Sequence, residues 1–352
     1  MNKYLKKSLF FFAMILFLSC GSEETEVEVK IKRFDEGLII PPLLDEEIGS
    51  NVQGPSLIKV PDWIENPLGN YYLYFADHKG DNIKMAYSDS LEGPWKIKKG
   101  GTLQLKESFF LTSIPETPED FDFNALSERT PHPALQEYTP KQIDDLNIPH
   151  IASPDVHVDY DNELIVMYFH GLNKFGSQKT RVATSSNGIE FKANKKIVGW
   201  PYFRRFTYDN QDYALSMPGV IYKRSGGIED FDIYNQILEE NVRHSAVLVK
   251  GDVLLIFFTK KEESPERIYL TTVDLSLPLL LWTASKPVEV LRPEKDWEGA
   301  NLPLYASSSS AINTPVNQLR DPAVFEENDK YYLLYSVRGE NGIAISNLYI
   351  TD

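Results

Sequence analysis

The chain has 352 residues, 42% hydrophobic and 25% charged, with 51 acidic against 36 basic residues and a formal net charge of −15. That composition supplies a core for one large domain or two small ones and excludes a wholly disordered chain. The acidic excess argues against nucleic acid or anionic lipid as partners, and a single cysteine excludes an intramolecular disulfide.

At the start, Lys3, Lys6 and Lys7 precede the apolar run LFFFAMILFL, and Ser19-Cys20 follows. A basic start, a short apolar core and a small residue before the cut describe an export signal over 1–19, shorter than a membrane span. A lone cysteine at its end resembles the bacterial lipoprotein signal, which implies lipidation at Cys20 and an outer-membrane anchor. A plain secretory signal with a chance cysteine is the alternative. After Cys20 the acidic run GSEETEVEVK reads as a disordered tether, the start of an acidic tether and N-terminal extension over 20–48. Without the signal's three lysines the chain keeps 33 basic and 51 acidic residues, a net charge of −18.

From residue 49 onward one pattern returns. Two runs of β-branched and aromatic residues flank a polar knot, as in YYLYFADHKGDNIKMAYS (71–88), ELIVMYFHGLNKFGSQKTRVATS (163–185), DVLLIFFTKKEESPERIYLTTVDL (252–275) and KYYLLYSVRGENGIAISNL (330–348), with a weaker copy at 212–225. A further short strand precedes each pair: GPSLIKV (54–60), SPDVHVD (153–159), YFRRFTY (202–208), RHSAVLV (243–249) and RDPAVFE (320–326). Five strand triplets, each with room for a fourth strand, predict an all-β fold: a five-bladed β-propeller over 49–352. A β-sandwich is the competing fold. Between blades one and two, the insertion at 115–149 is expected to be partly helical, with Thr139 as a cap and Pro140 in the first turn of TPKQIDDL. A second insertion spans 296–318. Long insertions on a rigid scaffold commonly shape a binding site.

If the first strand of each triplet lies at the propeller axis, the starts of these strands and the ends of the next ones share one mouth. That places Gly54, Ser153 with Asp155, Tyr202 with Arg204, Arg243 with His244, Arg320 with Asp321, Asp77 with His78, His170, and Arg338 with Glu340 around a common pocket. Strand alternation sets Ser153, Asp155 and His157 on one face, with Asp155 near the mouth and His157 deeper, as a hydrogen-bonded core histidine. Turn hydrogen bonds and blade-bracing ion pairs are the structural alternative for each residue taken singly. No HxH or HExxH spacing fixes a metal. No cofactor is called for, and a structural cation bound by some of Asp77, His78, His170 and His244 is left open. Nucleophile-elbow, phosphate-loop and dinucleotide fingerprints are absent from the sequence.

RDPAVFEENDKYYLLYS, GPSLIKVPDWIENPLGNYYLYFADHKG and the blade repeat resemble the five-bladed propeller glycoside hydrolases, the family 43 type and relatives such as the family 117 anhydrogalactosidases. The resemblance implies acid/base hydrolysis of plant or algal oligosaccharides, with inversion. Inversion needs an acid and a base roughly 6.5–9.5 Å apart on opposite faces of the sugar. It also implies an Asp base in the first blade, where this chain has Gly54. The expectation is therefore that Asp155 or Asp321 activates water, while His244 or Glu340 protonates the leaving oxygen. Asp77, His78, His170, Tyr202, Arg204, Arg320 and Arg338 would bind substrate, the arginines serving hydroxyls, a uronate or a sulfate. The alternative is a non-catalytic glycan-binding lipoprotein on the same propeller.

Overall fold

The structure is a computed structural model; it describes residues 27–119, 144–307 and 311–351. The expected signal peptide, Cys20, Thr139 and Pro140 lie outside the described residues.

Blade 1 comprises β2 (Gln53–Lys59), β3 (Tyr71–Ala76), β4 (Asn82–Ser88) and β5 (Lys96–Ile97), with β6 (Leu103–Gln104) also paired to β4. Blade 2 comprises β7 (Ile151–Asp159), β8 (Leu164–Lys174), β9 (Ser177–Ser185) and β10 (Lys192–Ala193). In blade 3 the strands are β11 (Arg204–Tyr208), β12 (Gln211–Ser216), β13 (Val220–Arg224) and β14 (Phe231–Gln236). Blade 4 holds β15 (Val242–Lys250), β16 (Val253–Lys260), β17 (Ile268–Asp274) and β18 (Val288–Leu291). All pairings within these sheets are antiparallel, and the five predicted triplets are all present.

Blade 5 joins the two ends of the chain. Its inner three strands are β19 (Arg320–Glu327), β20 (Lys330–Ser336) and β21 (Ile343–Thr351), and its outer strand is β1 (Glu28–Ile40). The segment 20–48, expected to be a tether and extension, thus contributes a strand that closes the ring, with Glu28 opposite Thr351 and Arg33 opposite Ser346. EVKIKRF alternates charged and apolar residues, and its apolar face packs on blade 5. Arg33 adds an ion pair to the buried Glu298 at 2.7 Å.

Inner strands β2, β7, β11, β15 and β19 surround the axis, and the apolar core divides into one cluster per blade interface. Alternation explains this arrangement: one face of each blade meets the preceding blade and the other meets the next. Fully buried Tyr72, Phe75, Tyr168, Phe257 and Tyr335 each contribute about 1.5–3 kcal/mol through burial. The seam between blades 2 and 3 holds the smallest cluster, built on Tyr168, Phe203 and Tyr222.

Residues 144–146 are helical. The insertion at 296–318 folds back on the ring: the Ile312 N–H donates to Glu340 and the Val316 N–H to the Arg338 carbonyl.

Candidate functional site

Four of the five inner strands start with an irregularity. The ladder shifts between Gln53 and Ser56, Ala152 and Asp155, Val242 and Ser245, and Arg320 and Ala323. Gly54, Ser153, Tyr202 and Asp321 take left-handed backbone conformations, with φ of 65°, 49°, 57° and 47°. Three of these residues carry side chains that disfavour the region, at a cost of about 1–3 kcal/mol each, and such strain concentrates at functional sites. The bulges place Gly54, Ser153, Tyr202, His244 and Asp321 at equivalent positions in the five blades, at the upper end of the axis.

Asp321 and His244 meet there through Asp321 Oδ1 and His244 Nδ1, both residues about 1% exposed. The Ser336 hydroxyl donates to Asp321 Oδ2 at 3.1 Å. Burial would raise the Asp321 carboxyl, yet His244 and Arg243 outweigh it and hold it below its usual range. Burial pushes the His244 imidazole down against the pull of Asp321. The pair therefore carries one negative charge, with the ring neutral and its Nδ1 proton directed at the carboxylate. His244 lies on Tyr202 with ring centroids 4.2 Å apart, Tyr202 on His170 at 4.5 Å, and His170 edge-on to His150 at 5.7 Å. Burial, reinforced by neighbouring positive groups, drives His170 well below its usual range and His150 down to about 3.

Beside this stack runs a buried chain of alternating charge. Arg320 Nη1 donates to Glu340 Oε1 at 2.7 Å, Arg320 Nε lies 3.1 Å from Glu266, and Arg243 Nη1 lies 3.3 Å from the same carboxylate. Glu340 Oε1 also meets His78 Nδ1 at 3.0 Å, while its Oε2 accepts from Asn51 at 2.9 Å and from the Ile312 N–H at 3.2 Å. Burial opposes ionisation of Glu340, but His78, Arg320 and Arg243 hold it well below the usual carboxylate range. As one of the two groups expected to protonate the leaving oxygen, Glu340 would have to hold a proton; here its paired cations overrule desolvation and leave it an anion with both oxygens occupied.

The structure thus brings together Asp321, His244, Glu340, His78, His170, Tyr202 and Arg320. Others expected at the mouth are elsewhere. Asp155 and His157 project to the opposite end of the axis, where His157 Nε2 lies 2.7 Å from Asp155 Oδ2. The bulge at Ser153 breaks the two-residue alternation, so Ser153 stays with the upper cluster while Asp155 turns away. His157, expected in the core, is a quarter exposed. Arg204 reaches across the axis to backbone carbonyls, Ser245 at 2.9 Å, Pro154 at 3.2 Å and Ser153 at 3.3 Å, which pins blade 3 to blades 2 and 4. The Asp77 carboxylate accepts from the Lys79 N–H within a turn. Arg338 ties the second insertion to the ring through its backbone, donating to Glu298 and accepting from Val316.

Glu266 and His150 also belong to this buried group, with little signal in the sequence. Glu266 sits in SPER, which reads as turn; His150 is visible only as an excess of histidine. Asp77, His78, His170 and His244 form no metal-ligand set: among the described residues no three His, Cys, Asp or Glu groups are placed to hold an ion.

No protein-family model matches the sequence. Among solved structures, the chain is similar to a thermostable family-43 glycoside hydrolase (14% identity, 85% of this chain and 88% of that one, TM-score 0.52). It is also similar to a putative glycoside hydrolase from Parabacteroides distasonis (11% identity, 91% and 96%, TM-score 0.57). At those identities the likeness is one of fold: the propeller is that of these glycoside hydrolases. In sequence, the chain is 32% identical over 327 residues, 85% of its length and 83% of the relative's, to the "Uncharacterized protein R118" of Acanthamoeba polyphaga mimivirus. The chain therefore belongs to one family with that viral protein, built on a five-bladed β-propeller.

Proposed function

We propose that the chain is a glycosidase of neutral oligosaccharides in which Asp321 and His244 form the proton-handling pair at the upper end of the axis. The observation that carries this reading is the Asp321–His244 pair itself, placed at the axis by register shifts in two adjacent blades, with Asp321 in a left-handed backbone conformation. Asp321 fixes the tautomer with the proton on Nδ1, leaving Nε2 of His244 to take a proton from the attacking water as its oxygen bonds to the anomeric carbon and to return that proton to the glycosidic oxygen as the C–O bond breaks, so the alcohol departs neutral. As the ring becomes charged, the carboxylate stabilises it. Glu340 positions Arg320 and His78.

Several neutral side chains left without partners suit the hydroxyls of a sugar, while Arg338 Nε is the buried, unpartnered nitrogen of a cation expected to bind substrate. Arg204 and Arg320 are engaged with carbonyls or carboxylates, and Arg243 with Glu266. Gln53 Oε1 and Nε2, Ser153 Oγ and both ring nitrogens of His170 are buried and unpartnered. These are neutral donors and acceptors, suited to hydroxyl groups. A lipid-anchored, exported protein at the outer membrane is the corresponding localisation.

A second reading, a glycan-binding protein without catalysis, is favoured by Gly54 at the expected base position and by the ionised, fully occupied Glu340. Chromatographic digestion of arabinan, xylan and mannan oligosaccharides by the chain and by Asp321→Asn and His244→Gln separates the two. Release of sugar by wild type alone supports the enzyme. Retention without cleavage, lost in the same variants, supports the binder. Equal release by all three proteins would remove the pair from the mechanism.

A further inference from the structure

At the lower end of the axis, opposite the Asp321–His244 pair, a cavity of 290 Å³ opens between the inner strands. A second cavity of 480 Å³ lies at the seam of blades 2 and 3, and the two share His157, Val158, Tyr160 and Arg205 as walls. Together they form one cleft, in the size range of small-ligand sites. The seam is the one with the smallest apolar core.

The cations lining this cleft are already paired. Arg205 and Arg224 hold Asp212 at 2.6 and 2.7 Å, Lys59 holds Glu327 at 2.6 Å, and Arg204 is fixed on backbone carbonyls. An anionic ligand would find no free partner among these four. The acceptors are differently placed. Asp155 uses Oδ2 for the Arg205 N–H and for His157, and its side chain remains 15% exposed. Ser56 Oγ accepts from the Val156 N–H, which leaves its hydroxyl hydrogen to donate. At the rim, Tyr160 is 69% exposed, with its ring held edge-on by Trp63 at 5.6 Å. An exposed, braced aromatic ring beside a carboxylate, an imidazole and a hydroxyl is the chemistry that grips a sugar: a stacking face with hydroxyl acceptors beside it.

We infer that this lower cleft is a second carbohydrate site, binding a neutral sugar residue against Tyr160 with its hydroxyls on Asp155, His157 and Ser56. It requires no catalysis at the upper end, though its ligand class rests on the carbohydrate reading of the chain. A sugar held there would keep a glycan chain at the protein while the upper site is free.

Binding of neutral xylo-, arabino- and manno-oligosaccharides to the full chain is followed by saturation-transfer NMR and calorimetry, with an oligogalacturonate as the charged comparison. Hydrolysis is measured on the same samples. Tyr160→Ala and Asp155→Asn should each weaken neutral-sugar binding about tenfold or more and leave any hydrolysis unchanged, while Asp321→Asn keeps the binding. Tyr160 is at the surface, so its variant tests the site even where Asp155→Asn impairs folding. Binding lost in Asp321→Asn and retained in Tyr160→Ala, tighter binding of the galacturonate, or no binding of any neutral sugar would each overturn the proposal. Hydrolysis in the absence of lower-cleft binding would remove the second site and leave the function proposed above standing.

Discussion

Mild acid should destabilise this fold well before its carboxylates titrate, and His150 sets the scale. Its folded-state value lies at about 3, against 6.5 for an ordinary imidazole, because it is buried and faces Lys79. The sign follows from linkage: between these values the unfolded chain binds a proton that the folded chain refuses, so stability falls as pH falls below about 6.5. From pH 7.5 to pH 5 the unfolded state gains about 1.5 units of protonation free energy, about 2 kcal/mol from His150 alone. His170, displaced in the same direction and with both ring nitrogens unpartnered, adds to it. Urea unfolding followed by tryptophan fluorescence at the two pH values measures the total, and His150→Phe and His170→Phe isolate each part. His150→Phe loses the 2.7 Å contact to the Ile148 carbonyl and is less stable at pH 7.5, yet its decline toward pH 5 should be smaller than wild type by about 2 kcal/mol. A decline identical to that of wild type would show that His150 is charged or solvated in the native state, and would refute the account of a neutral, buried histidine stack.

Three further outcomes follow from the packing. Arg204→Met leaves three backbone carbonyls without their donor at the axis and should lower stability by about 3–5 kcal/mol, read from urea midpoints. Gly54→Asp restores the acid expected from the family 43 resemblance, but its Cβ would stand 3.1 Å from Ser153 Cα at a φ of 65°. It should cost about 1–3 kcal/mol and produce no gain in sugar release in the digestion assay. Glu340→Gln removes the charge that holds Arg320 and His78 and should cost about 3–5 kcal/mol; unchanged thermal unfolding would mean that the buried ion chain does not brace the upper end.

The propeller was legible because the inner strands carry a recurring signature: GPSLIKV, SPDVHVD and RDPAVFE each place a small or turn-forming residue and a proline ahead of β-branched residues. β1 was not, since EVKIKRFDEG resembles an acidic and basic linker until β21 supplies a partner for its apolar face. Within the site, His244, Asp321, Tyr202 and His170 could be located by strand ends. Asp155 could not, because a single left-handed residue, Ser153, reverses the side on which everything after it projects. The ionisation of Glu340 was unreadable for a different reason: its partners come from positions 51, 78, 312 and 320, and only folding brings them within 3.2 Å.

The closure of blade 5 also constrains how the molecule comes into being. Glu28 and Thr351 are 323 residues apart and hydrogen-bonded, so the first strand made must wait, with its edge unpaired, for the last one to be synthesised. Contacts of that span are entropically costly to close and slow to form, and an open strand edge is a template for pairing with other chains. Blades 1 to 4 can assemble as the chain emerges, but the ring remains an open arc until β21 has been made and pairs with β1. Removal of β1 would expose the edge of β21 that it covers, and removal of β21 would leave β1 without a partner, so aggregation of such chains is the failure expected of this architecture.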